Sequence, residues 1–185
     1  MGVVARPSQV ILLVEDRRHE QFIYRYLRKQ GFERHAMRTV KSPSAAGSAE
    51  QWVRERFAIE VEACRGRQAE TRLIVLIDAD TQPVRERIAQ LDKALREAGA
   101  ALIPDDTKEI ARLVPKRNIE TWILCLNDVE VNEDRDYKRT RDNWTELVRT
   151  AVSNLYVWTR PRAALPPSCV ESLQIGIGEL RRLGL

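Results

Sequence analysis

Val10-Ile11-Leu12-Leu13-Val14-Glu15-Asp16 and Leu73-Ile74-Val75-Leu76-Ile77-Asp78-Ala79-Asp80 decide the fold of this chain. Each is a continuous apolar run of strand length that gives way at once to carboxylates and then to a helical pattern. An unbroken apolar run suits an inner strand covered on both faces. In an open α/β sheet the carboxyl ends of the strands form one edge, and ligands bind in the crevice there. Carboxylates gathered on that edge repel one another unless a cation neutralises them, so the two clusters predict a magnesium-type site.

Working outward, strand and helix alternate through the first half. After the strand ending at Glu15, Phe22, Ile23, Tyr26 and Leu27 recur at helical spacing, and Gly31 supplies a stop. A second strand is expected over Ala36 to Lys41, then a loop from Ser42 to Gly47. Ser48 with Gln51 reads as a capping box opening a helix that buries Val53, Phe57, Val61 and Cys64. The strand ending at Ile77 is followed by a helix from Pro83, with Val84, Ile88, Leu91, Leu95 and Ala98 on one face.

The second half is less regular. Ala100 to Ile103 and Ile110 to Val114 read as short strands, and Asn118 as the cap of a helix carrying Ile119, Trp122, Ile123 and Leu126. Asn127 to Asn143 is polar enough to be a surface loop. Trp144, Leu147, Val148, Ala151, Val152 and Leu155 form an apolar stripe. Pro161 to Pro167 is a linker, and Ser168 with Glu171 opens a last helix burying Val170, Leu173, Ile177 and Leu180. This alternation predicts a Rossmann-like α/β fold: a mainly parallel sheet, helices on both faces, and a C-terminal helical appendage. The division expected is an α/β domain over 1–126, with 127–185 as a charged loop and helices packed on it.

The bulk composition narrows the function classes. With 43% hydrophobic and 31% charged residues over 185 positions, the chain is a globular protein with a proper core rather than a disordered one. No apolar run approaches a membrane span, and Met1 to Gln9 lacks the apolar core of a signal peptide. Cys64, Cys125 and Cys169 are odd in number and far apart, which argues against a zinc site or disulfide framework and for reduced, buried thiols in a cytoplasm. The net charge is +4, and Arg17-Arg18, Arg25, Arg28-Lys29, Lys116-Arg117, Lys138-Arg139 and Arg141 surround the acidic positions. An acidic centre with a basic surround suits a phosphodiester substrate, although most single arginines of this kind are solvated helix faces.

A glutamate at the end of the first strand with Asp-x-Asp at the end of a later one resembles the signature of TOPRIM domains. Such domains serve topoisomerases, primases, OLD-family nucleases and small stand-alone nuclease-like proteins. Val14-Glu15-Asp16-Arg17-Arg18-His19-Glu20-Gln21-Phe22 looks like the V-E-G-x-x-T-E segment of RloB-like stand-alone TOPRIM proteins, with Asp16 at the family's glycine and His19 near its threonine. Val114-Pro115-Lys116-Arg117-Asn118-Ile119-Glu120-Thr121-Trp122 is similar to their later segment, in which an acid sits two residues before a tryptophan.

The resemblance implies a metal-dependent nuclease acting on DNA or RNA in prokaryotic defence. Glu15, Asp78 and Asp80 would hold Mg2+ or Mn2+, Glu20 and Glu120 would complete a second metal position or orient water, and Lys116 would hold the scissile phosphate. The implied partners are nucleic acid, an ATPase subunit encoded nearby, and a second copy in a homodimer.

Each residue also has an ordinary structural explanation. Asp78 and Asp80 are good turn and capping residues for the Pro83 helix. Glu15 is equally a surface carboxylate beyond a strand, and Glu20 and Glu120 sit in first turns, where the helix dipole favours acids. His19 and His35 read as surface or packing histidines, and Trp122 as core. Two other functions fit the same residues. One is a non-catalytic TOPRIM-like subunit binding metal or nucleic acid for an ATPase. The other is a receiver-like domain phosphorylated on Asp78, against which stand the long Ser42 to Arg67 stretch and the order Pro115-Lys116.

Overall fold

The computed structural model describes residues 7–43, 47–68 and 70–185. Residues 44–46 of the expected 42–47 loop, and residues 1–6 of the amino-terminal stretch, lie outside them. Among the described residues there are four strands and six α-helices. In chain order they are β1 (Gln9–Val14), α1 (Arg17–Lys29), β2 (Met37–Lys41), α2 (Ala49–Arg65), β3 (Thr71–Leu76), α3 (Val84–Glu97), β4 (Ile110–Leu113), α4 (Ile119–Cys125), α5 (Trp144–Trp158) and α6 (Glu171–Arg182). The sheet is entirely parallel, in the order β2-β1-β3-β4, and the architecture is Rossmann-like α/β.

β1 and β3 are the two inner strands, as their unbroken apolar runs predict, and every residue of β3 is buried. Their side chains divide by the two-residue period. Val10, Leu12, Val14, Ile74 and Leu76 face a core shared with α1, α4, α5 and α6. Ile11, Leu13, Leu73, Val75 and Ile77 face the core formed with α2 and α3. From β1 the chain steps one way to β2, then back across to β3 and on to β4. Right-handed crossovers in opposite directions need opposite faces, which is why α1 lies on one face and α2 and α3 on the other. The change of direction leaves a switch point between the carboxyl ends of β1 and β3.

Several expectations are corrected by tertiary contacts. Ala100 to Ile103 is not a strand: Arg65, at the end of α2, donates to the carbonyls of Ala101 and Leu102 and takes the place of a ladder partner. Ser168 does not cap the last helix. Val170 holds the cap position of α6, and Glu133 from the polar loop accepts from the Ser172 N–H at 3.2 Å. Asn118 stands at the cap position of α4 without capping it: its amide donates to Asp136 at 2.9 Å and its Oδ1 faces the Thr121 hydroxyl at 3.5 Å instead of a backbone N–H. The Ser48 capping box is half formed, since Gln51 turns its side chain to Glu55.

The C-terminal helices are more than an appendage. Residues on both sides of position 126 share one core, in which Trp122 of α4 meets α6 where Gly176 leaves room for its ring. A Cβ at Gly176 would overlap Trp122 Cη2 and come within 3.0 Å of Cζ3. Trp122 is buried, as expected, and its indole N–H donates to Ser172 Oγ at 2.7 Å. The three cysteines are buried and free. No helix among the described residues is long and apolar enough to cross a membrane.

Candidate functional site

Of the acidic residues predicted from the strand ends, Glu15 and Asp78 meet at the switch point. Beyond β3, Ile77 N–H donates to Leu113 O and Ala79 N–H to Pro115 O, so the chain continues extended beside the end of β4. In an extended chain alternate N–H groups point to opposite sides. The Asp78 N–H therefore points toward β1, which has just ended, and it donates to Glu15 Oε1 at 2.7 Å.

The same alternation aims the Asp78 side chain, in register with Ile74 and Leu76, at the α1–α4 layer. There it meets His19, fully buried in the first turn of α1, whose Nε2 lies 2.9 Å from Asp78 Oδ1. Asp16 fixes that turn by accepting from the N–H groups of Arg18 and His19 at 2.8 and 3.0 Å. This is ordinary N-capping, and it explains the acid at the position where the resembling family has glycine. On the other side of Asp78, Lys138 Nζ lies 3.8 Å from Oδ2.

The remaining acids divide into near and far. Glu120 is buried, paired with Arg18, and keeps Oε2 without a partner. The Arg18 guanidinium also lies 4.8 Å above the Trp144 ring, which fixes it between α1, α4 and α5. Asp80 has left the strand with φ +56, a left-handed conformation that Asp tolerates better than most residues, and it pairs with buried Arg87 at 3.4 Å. Glu20 faces away toward β2, where it pairs with Lys41 at 2.8 Å. Lys116 is partly exposed and engaged with Asp134 at 2.9 Å. Thus Glu15 and Asp78 touch and Asp80 and Glu120 lie close enough to act on them electrostatically, Lys116 is engaged by Asp134 in a pocket it shares with Asp80, and Glu20 is occupied toward β2.

The electrostatics show how tightly the charges are drawn together. Burial, reinforced by the charges of Asp78 and Asp80, pushes Glu15 up to about 8 against the pull of His19. Burial and then Asp78 also raise Asp80, and burial raises Glu120 despite its bond from Arg18. Burial alone would depress His19, but the charge and hydrogen bond of Asp78, followed by Asp16 and Glu15, raise it to about 10. Lys138 follows the same logic, with Asp78, Glu120, Asp80 and Glu15 overcoming its desolvation.

Among the described residues, no three of His, Cys, Asp and Glu stand close enough to hold one metal ion. The sheet alternation gives the reason. Glu15 continues the register of Ile11 and Leu13, and Asp78 that of Ile74 and Leu76, so their side chains start toward opposite faces. The donor set is still one of hard carboxylate oxygens, with a spare oxygen on Glu120, and magnesium needs only one or two carboxylates because it retains its waters. Glu15 and Asp78, with Asp80 beyond, fit such an ion chemically.

Two members of the site, His19 and Lys138, do not stand out by their sequence positions. His19 stands three and four residues before Phe22 and Ile23, on the apolar stripe of α1, and that stripe is the available signal that it is buried. Lys138 carries no comparable signal. No family model, curated protein or solved structure matches this chain.

Proposed function

We propose that this protein is a TOPRIM-like, metal-dependent nuclease acting on phosphodiester bonds of nucleic acid. The observation that carries the proposal is the contact between Glu15 and the Asp78 N–H at the switch point, where burial, reinforced by Asp78 and Asp80, lifts Glu15 to about 8. Glu15 and Asp78, with Asp80 beside them, would hold Mg2+ or Mn2+, which when bound polarises a phosphoryl oxygen and stabilises the charge that develops during transfer.

The chain's own groups have separate tasks in this scheme. His19 orients the Asp78 carboxylate through the 2.9 Å contact. Lys138, half exposed at the mouth, takes the phosphate-facing task that the sequence resemblance gave to Lys116. Glu120 offers its free oxygen to a water molecule. An ATPase partner, a second copy and a role in prokaryotic defence in the cytoplasm remain proposals from the resemblance.

The test is incubation of the protein with plasmid, single-stranded DNA and tRNA in Mg2+ or Mn2+, beside Asp78→Asn. Cleavage by the parent and none by the variant is the expected outcome. Lack of cleavage of every substrate with either metal would refute the nuclease.

A second function, a non-catalytic subunit that binds nucleic acid, is favoured by one observation: four acids of the region already hold a protein cation. Asp78 has His19 and Lys138, Glu120 has Arg18, Asp80 has Arg87, and Glu20 has Lys41. Such a subunit would bind nucleic acid equally well in EDTA and cut nothing. A receiver fits less well, because Asp78 is 1% exposed with both oxygens engaged, whereas a phosphoacceptor must present one. Mass gain with acetyl phosphate would revive it.

A further inference from the structure

Positive charge is distributed very unevenly along the chain. Residues 16–41, which comprise α1 and β2, hold eight Arg or Lys against three Asp or Glu, a net +5 that exceeds the +4 of the whole protein. Two of the cations first expected to face nucleic acid are engaged with acids: Lys116 pairs with Asp134, and Arg117 approaches Asp136. Arg17, Arg34 and Arg38 are instead exposed, and no acid pairs with them among the described residues.

The two edges of the sheet differ in the same sense. The β4 edge is closed by α6, where Glu179 accepts from the Arg112 N–H at 2.8 Å and Arg182 donates to the carbonyls of Thr107 and Ile110. Among the described residues no strand pairs with the outer side of β2. Between that edge and α1 lies a cleft of about 420 Å3. Tyr24 and Met37 give it an apolar lining, Arg25 and Arg34 supply cations, and Gln21 and Thr39 supply neutral hydrogen-bonding groups. Its one acid, Glu20, is neutralised by Lys41 and sits next in sequence to His19 of the acidic site.

An aromatic face with guanidinium groups around it, in a nucleotide-sized cleft, suits an unpaired base whose phosphates lie on the rim. A duplex keeps its bases stacked inside and offers nothing to such a cleft. We propose that the α1–β2 cleft binds an unpaired nucleotide, so that single-stranded nucleic acid is the substrate class, its backbone crossing Arg25 and Arg34 of the cleft toward the acidic site. This rests on the nuclease proposal only for its direction; the cleft's ligand is tested without cleavage.

The experiment is fluorescence anisotropy of a labelled oligothymidylate and of a duplex of equal length, in EDTA, over a salt series. The parent should prefer the single strand. Tyr24→Leu, which keeps the apolar packing but removes the ring, should weaken it about tenfold. Arg34→Ala, at an exposed position that does not endanger folding, should lower the salt slope by about 0.7 for the phosphate no longer neutralised. Equal affinity for the duplex, or unchanged binding in both variants, would overturn the proposal. Cleavage with unchanged binding in the variants would leave the nuclease standing and remove this cleft. Binding through these residues by a protein that never cuts would do the reverse.

Discussion

His19 Nε2 lies 2.9 Å from Asp78 Oδ1, with the two residues 59 positions apart in the chain and both side chains buried. The pair joins the first turn of α1 to the end of β3, and it governs how the site responds to pH and to substitution.

Stability should fall as pH rises. His19 is raised from 6.5 to about 10, so the folded protein binds its proton more tightly than the unfolded chain does. That contribution is fully present below about pH 6.5 and is lost as pH rises through 10. Glu15, raised from 4.5 to about 8, acts in the same sense in the window between those values. Thermal unfolding in EDTA from pH 5 to pH 10 should show a steadily decreasing Tm. His19→Gln should remove the alkaline part of that decline and lower stability by about 3 kcal/mol or more near neutrality, because Asp78 is left buried without its imidazole partner. A flat Tm profile in the parent would contradict the charged pair.

Divalent cation binding should release a proton near neutral pH. Glu15 holds its proton up to about 8 because burial and then Asp78 and Asp80 disfavour its ionised form. A bound cation reverses that preference, so Mn2+ affinity should increase with pH up to about 8. Calorimetry in buffers of different ionisation enthalpy measures the protons released. Glu15→Gln should abolish the release, and equal heats in all buffers for the parent would show that Glu15 is no ligand.

Lys138 should compete with the metal. Its ammonium lies 3.8 Å from Asp78 Oδ2 and is held charged by the surrounding acids. Lys138→Met removes the competing charge and should tighten Mn2+ binding several-fold, while weakening cleavage if the ammonium also contacts the phosphate. Titration followed by paramagnetic resonance reads the affinity directly; an unchanged or weaker affinity would mean that Lys138 and the metal occupy different places.

Gly176→Ala should destabilise the fold without touching the acids. The new methyl would overlap the buried Trp122 ring, which is held by its bond to Ser172. Overpacking of this kind costs about 1–3 kcal/mol. Chemical denaturation followed by tryptophan fluorescence should show the loss, and stability equal to the parent's would mean that α6 shifts freely against α4.

The sequence by itself determined the two inner strands, because an apolar run about six residues long with carboxylates at its end has few other uses. With that came the α/β alternation, the common edge for Glu15 and Asp78, the buried Trp122 and the free thiols. These are local signals: side-chain period, run length and breaker position are written in adjacent residues. Tertiary structure decided the rest. Ala100 to Ile103 reads as a strand but is bonded by Arg65; Ser168 reads as a cap but Glu133 satisfies α6. Glu20 and Lys116 carry the right charges, yet Glu20 is paired with Lys41 toward β2, and Lys116 is paired with Asp134 in the pocket it shares with Asp80. His19 and Lys138 enter the site because the sheet brings β3 beside α1 and lays the 127–143 loop over both. A charge acts over a few ångströms in space whatever its distance along the chain, so its partner is fixed only when the fold closes.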